Sequence, residues 1–117
     1  FEIPVRDIDR ATRFYSQVLD VKLAPMEFGP HKMAIFPGGE PGENIVHGAL
    51  VQGEGYTPGG DGPLVYLNGG DDLAAPLARV EAAGGRVVMP KTAIGEHGFM
   101  AIFLDTEGNR LALHSMR

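Results

Sequence analysis

Residues 1–5, Phe1-Glu2-Ile3-Pro4-Val5, alternate apolar and polar with a period of two, the pattern of a strand with one covered face, and Pro4 marks an edge or a strand end. From Ile8 the period changes. Ile8, Ala11, Phe14, Tyr15, Val18 and Leu19 recur at helical spacing, while Arg6, Asp9, Arg13 and Gln17 fall on the opposite side. Asp7 stands where a carboxylate can accept from the free amides of the first turn, and Asp9 suits the positive end of the helix dipole. Three apolar runs follow at 21–28, 32–36 and 45–51, separated by Gly/Pro turns, so residues 1–51 predict the order β-α-β-β-β.

Residues 52–63 (QGEGYTPGGDGP) hold five glycines and two prolines, too many turn formers to extend and too few apolar groups to pack, and are predicted to be a connector. The first order then returns. Residues 64–68 form a strand pattern, 72–83 a helix with Leu73, Leu77 and Val80 as its stripe and Gly84-Gly85 as its stop, and 86–90, 99–105 and 110–115 three further strands. Pro76 lacks the N–H that a helix interior needs, which moves the expected start of the regular helix to about Ala75. Met33-Ala34-Ile35-Phe36 recurs unchanged as Met100-Ala101-Ile102-Phe103, and Asp7/Asp72 and Asn44/Asn109 repeat at an offset of 65. A fixed internal period identifies a duplicated unit whose copies bury apolar surface against one another. The expected fold class is α+β: one domain, 1–117, of two tandem βαβββ modules, 1–51 and 64–117, whose half-sheets together form a cup.

Bulk properties narrow the function. A chain of 117 residues is long enough for one self-sufficient core. Ten basic and fifteen acidic residues give a net charge of −5 with no basic run, which argues against nucleic acid or an anionic membrane surface as partner. No apolar stretch approaches the roughly 20 residues of a membrane span. The absence of cysteine fits a reducing compartment and removes thiolate nucleophiles and Cys-type zinc sites, so a cytoplasmic location is expected. With no initiator methionine, one or more residues are expected ahead of Phe1. The glycine pairs 38–39, 59–60 and 69–70 match no phosphate loop, and no G-x-S-x-G elbow makes Ser16 or Ser115 a nucleophile.

The segment Asp7-Ile8-Asp9-Arg10-Ala11-Thr12-Arg13-Phe14-Tyr15 opening the first helix, and the closing Asp105-Thr106-Glu107-Gly108-Asn109-Arg110-Leu111, resemble the vicinal oxygen chelate superfamily. That superfamily includes glyoxalase I, bleomycin-resistance proteins and extradiol dioxygenases. The resemblance covers essentially the whole chain and implies a half-barrel cup, commonly completed in a homodimer. It also implies a metal ion held by His/Glu side chains from the first and last strands of each module, with open positions for two vicinal substrate oxygens.

Carried over residue by residue, two of the three positions that fall within the sequence lack a donor, and the identity of the fourth is unknown. The first falls immediately ahead of Phe1. The first-strand position of module two is Leu64, flanked by Pro63 and Val65, and the last-strand position is Ala112, where metal-using relatives have Glu. Only His47, reached from Ala112 by the 65-residue offset, is a ligand type. One imidazole does not make a geometry-selective site. The expected cofactor is therefore none. The alternative is one divalent metal ion in a displaced site, for which period-two geometry supplies Glu2, His47 and His114 on cup-facing positions. Tyr66 shares the Leu64 face and can donate a hydrogen bond into the pocket. His97, beside Glu96, lies in the expected 90–98 connection, where it could shuttle a proton or merely be solvated. Met26, Met33, Met89 and Met100 suit sheet positions facing either a helix or the cup.

The function expected is metal-independent binding of a small, partly apolar metabolite or xenobiotic through Glu2, His47, Leu64, Tyr66, His97, Ala112 and His114. The alternative is a metal-dependent lyase, isomerase or dioxygenase with a displaced ion. A homodimer is expected because a half-cup leaves sheet edges and apolar surface to cover.

Overall fold

The computed structural model describes residues 1–40 and 42–117. Its elements follow in chain order: β1 (Glu2–Pro4), α1 (Ile8–Leu19), β2 (Ala24–Phe28), β3 (His31–Ile35), β4 (Ala49–Gln52), β5 (Val65–Asn68), α2 (Ala74–Leu77), β6 (Arg86–Ala93), β7 (Phe99–Leu104) and β8 (Arg110–Ser115), with a single 3-10 turn at Gly95–His97. They form two four-stranded mixed sheets, β1-β4-β3-β2 and β5-β8-β7-β6, in which the first and last strands of each module pair in parallel. The α+β class and the twice-used βαβββ order are as the periodicity predicts. The barrel is not closed.

Local chemistry sets α1. Asp7 takes an extended conformation and its carboxylate accepts from the Arg10 amide at 3.0 Å, while Asp20 closes the helix in the left-handed region (φ 53°), its amide returning to the Ser16 carbonyl. Asp tolerates that conformation better than most residues because its short side chain bonds locally. The apolar stripe Ala11, Phe14, Tyr15 and Val18 is fully buried.

Helix α1 packs on both sheets at once. Ile3, Ala34 and Leu50 of the N-terminal sheet and Leu67, Ala101, Phe103, Leu111 and Leu113 of the C-terminal sheet belong to one core with α1. Phe14 lies 5.0 Å from Tyr15 edge-on and 6.0 Å from Phe103. Gly85 permits the approach: a Cβ there would sit 2.5 Å from the Leu104 carbonyl oxygen and 2.7 Å from the Phe14 ring. Because the helix-side faces of both sheets share this core, the opposite faces both look outward.

The second module departs from the simple repeat in its helix. In place of a helix over 72–83, regular structure is confined to Ala74–Leu77, and the chain continues to Gly84 as successive turns with short-range bonds such as Arg79 N–H to Pro76 O and Val80 N–H to Leu77 O. Pro76 has no N–H to give back to residue 72, which limits the helix on its N-terminal side, while beyond Leu77 the bonds shorten to three-residue turns; Leu73 and Val80 are nonetheless fully buried. Strand β6 runs to Ala93 past the expected end at 90, its register slipping between Val87 and Met89 and again between Met89 and Thr92, so that bulges absorb Pro90 on a free edge. Conversely, β4 begins at Ala49 and not at 45, with Ile45, Val46 and His47 exposed.

The modules are locked by the turn between β7 and β8. Asp105, Glu107 and Asn109 are all buried. Asp105 accepts from the Tyr15 hydroxyl (2.6 Å), the amides of Glu107 and Asn109, and the Asn109 side chain. Glu107 accepts from the amides of Arg6 and Asp7, from Nε and Nη2 of Arg10, and from the Thr106 hydroxyl, at 2.8–3.0 Å. Asn109 donates to the Pro4 carbonyl and accepts from the Gly59 amide of the connector. The equivalent Asn44 of module one is exposed, and nearby Glu43 only caps the amide of Glu40.

Burial alone would push the Glu107 carboxyl upward, but the Arg10 guanidinium, the Thr106 hydroxyl and the two amides outweigh it and hold the group at about 2, against an ordinary 4.5. The stabilisation is therefore complete above pH 4.5 and is lost as pH falls toward 2. Urea unfolding across this window should show a falling midpoint. Glu107→Gln should lower stability at neutral pH by about 2–3 kcal/mol and flatten the acid limb; an unchanged acid limb would assign it to other carboxylates. Desolvation followed by Asp105 raises Tyr15 well above the ordinary phenol range, and the bond to Glu2 raises half-buried Tyr56. In an alkaline absorbance titration, Glu2→Gln should return one tyrosine toward ordinary values while Tyr15 ionises only on unfolding.

Candidate functional site

The outward faces of the two sheets carry the polar side chains that periodicity places toward a cup. On the N-terminal sheet the outward rows are Glu2–Ala49–Ile35 and Pro4–Val51–Met33–Met26. Glu2 does not stand alone. The Tyr56 hydroxyl, from the connector, donates to its Oε1 at 2.8 Å, and the Tyr56 ring meets His31 edge-on at 5.3 Å. His31 fits because residue 53 is glycine: a Cβ there would run into the imidazole. The connector is therefore pinned at three points, the Glu54 carbonyl on His31, Tyr56 on β1 and Gly59 on Asn109, and Tyr56 supplies a hydroxyl to the outward face.

On the C-terminal sheet, Tyr66, Ala112 and Ile102 form one outward row and Asn68, His114 and Met100 the next. Ala112 and Ile102 are buried, whereas Tyr66 is 48% exposed, its hydroxyl 3.6 Å from the Met100 sulfur. His114 Nε2 lies 2.6 Å from the His97 carbonyl oxygen. A carbonyl only accepts, so the neutral ring keeps its proton on Nε2 and leaves Nδ1 as an acceptor on this face. His97 itself is corrected in place: it belongs to the 3-10 turn at Gly95–His97 and not to a long 90–98 loop, and it reaches the site through its backbone while its imidazole is exposed. The outward face is thus mostly apolar, with Glu2–Tyr56, Tyr66 and the His114 Nδ1 as its polar handles.

Two of the metal positions that the resemblance implies offer an ion no donor. Leu64 is half-buried just before β5 and Ala112 is fully buried within β8, and neither carries a donor atom. Among the described residues no three His, Cys, Asp or Glu side chains converge, and Glu2, His47 and His114 form no such group. His47 precedes β4, exposed, its carbonyl accepting from the Phe1 nitrogen. With Tyr66 it borders a cavity between the modules of about 850 Å³; the other five residues of the expected set do not line that cavity. Tyr56 and His31 were not expected at the site. The signal available for Tyr56 was an aromatic residue within a run otherwise made of turn formers, but nothing local links it to Glu2, 54 residues away.

Comparison with known proteins agrees with this architecture. The family model of the Glyoxalase/Bleomycin resistance protein/Dioxygenase superfamily matches residues 1–113. A glyoxylase-like domain-containing protein of Didymella fabae is 32% identical over 116 residues, 96% of this chain and 88% of the relative. Among solved structures, TnmS3, an antibiotic binding protein from Streptomyces sp. CB03234, is 27% identical and superposes with a TM-score of 0.65 over 98% of this chain and 91% of that one. Glyoxalase I from Zea mays, 18% identical, shares the fold with a TM-score of 0.74 over 98% of this chain and 44% of its own. With two βαβββ modules and a family match across nearly its full length, the chain belongs to the glyoxalase/bleomycin resistance protein/dioxygenase superfamily.

Proposed function

We propose that the chain binds a small, partly apolar metabolite or xenobiotic on the outward faces of its sheets, without the superfamily's usual metal centre. The observation that carries this reading is the donor set: apolar Leu64 and Ala112 occupy positions where an ion would need oxygen or nitrogen. Met33, Ile35 and Met100, half-buried on these faces, supply contact area, and methionines adapt to ligands of varied shape. Tyr66, Tyr56 and the His114 Nδ1 supply direction, the usual division of labour in a small-molecule pocket. The likeness to an antibiotic binding protein supports the same reading. A second copy of the chain would cover the apolar outward surface, where Met26 and Phe28 on the free edge strand β2 are 45% and 68% exposed, and would turn two open faces into a cup.

A panel of apolar aromatic compounds screened by thermal shift should yield ligands that stabilise the protein; at a hundredfold excess over Kd the gain is about 2.7 kcal/mol. Met100→Glu, which sets a carboxylate on the outward face, should weaken these ligands at least tenfold. Undiminished binding in that variant would move the site elsewhere. Nickel, zinc, manganese and iron(II) should leave the melting temperature unchanged, and a metal-induced rise abolished by His47→Ala would overturn the metal-independent reading. Sedimentation should give twice the chain mass.

A further inference from the structure

The cavity between the modules opens on the helix side of the sheets and meets the outward rows at Tyr66 and Asn68. Phe1 and Phe36 share the inward parity of Ile3 and Ala34, and Leu67 belongs to the core, so these walls stand on the helix side of both sheets. The rings of Phe1 and Phe36 are 6.2 Å apart, and Val46, 81% exposed, stands at the border. At about 850 Å³ the space suits a drug-sized molecule. Arg79 gives it a fixed charge. Its Nε donates to the Val18 carbonyl at 2.9 Å, which orients the guanidinium, yet among the described residues it forms no ion pair and no other hydrogen bond.

Three carboxylates also border the cavity, and their states differ from that of Arg79. Asp72 is committed to Lys91 at 2.8 Å and to the Ala74 amide. Asp20 and Asp71 are exposed, where water and salt weaken their reach. Arg79 is half-buried beside apolar walls and less screened. A guanidinium with free Nη groups matches a carboxylate better than any other common anion on a small molecule. We propose that this cavity is a second small-molecule site, touching the outward face only through Tyr66 and Asn68, and that it takes an organic carboxylate with an apolar, ring-sized body held between Phe1, Phe36 and Leu67.

The test is a charge series on one ring system, 2-naphthoate, 2-naphthamide and 2-naphthylmethylammonium, titrated calorimetrically. Naphthoate should bind about tenfold more tightly than the amide, the difference expected of a charge-assisted hydrogen bond, and the ammonium should bind weakest. Arg79→Met should remove the naphthoate preference. Because Arg79 also holds the end of α1, Ala75→Trp provides an independent check: it fills the cavity from an exposed position, and should abolish naphthoate binding with an unchanged melting temperature. Met33→Glu, on the outward face of the N-terminal sheet and not among the cavity's lining residues, should leave naphthoate affinity as it was. Equal binding of acid and amide, tighter binding of the ammonium, survival of naphthoate binding in Ala75→Trp, or its loss in Met33→Glu would each overturn the proposal.

Discussion

Two buried carboxylates and one buried amide, clustered within five residues of the turn between β7 and β8, hold the molecule's halves in register. Removing charge from water is costly unless every lone pair is met, and here each is. Asp105 is satisfied by Tyr15 and by its own turn, and Glu107 by the entry of α1 together with the Arg10 fork. No buried side-chain nitrogen or oxygen among the described residues lacks a partner. Hydrophobic contact between the modules is broad but non-directional. The turn adds direction, because its acceptors fit only one placement of the α1 N-terminus and of the β1 carbonyl at Pro4.

That placement decides which surfaces are left for function. With α1 sandwiched by the helix sides of both sheets, the rows carrying Glu2, Tyr66 and His114 are turned to the outside, while a separate hollow opens where the ends of α1, α2, β1 and β5 meet. A chain with one core therefore offers two unlike environments. One is a broad, mostly apolar sheet surface with a few polar handles; the other is a confined space with aromatic walls and a guanidinium.

What could be read from the chain alone was what local spacing encodes. Helix α1 coincides with its predicted stripe because the Asp7 cap and the stripe all act within a few residues of one another. The Met-Ala-Ile-Phe repeat gave the two-module plan for the same reason: identical short patterns make identical strands. Local rules failed where distant atoms decide. Pro76 announced trouble in the second helix, but only packing against the first module shows that the chain goes on as turns while Val80 stays buried. Ile45 and Val46 read as strand, yet without a partner backbone they remain outside the sheet. At the candidate site, period-two spacing is enough to say which side of its sheet each of Glu2, Tyr66 and His114 is on, but their partners Tyr56, Met100 and the His97 carbonyl come from 54, 34 and 17 residues away, beyond any periodic signal.

The duplicated turns have not kept equal duties. Asn109 bonds three separate segments, whereas its counterpart Asn44 faces water and the neighbouring Glu40–Glu43 cap closes only on itself. Twin segments that began alike now sit under different constraints. One is the keystone, tied on three sides; its sibling makes no side-chain bond to the other module among the described residues, so a change of length there would leave the joint between the halves intact.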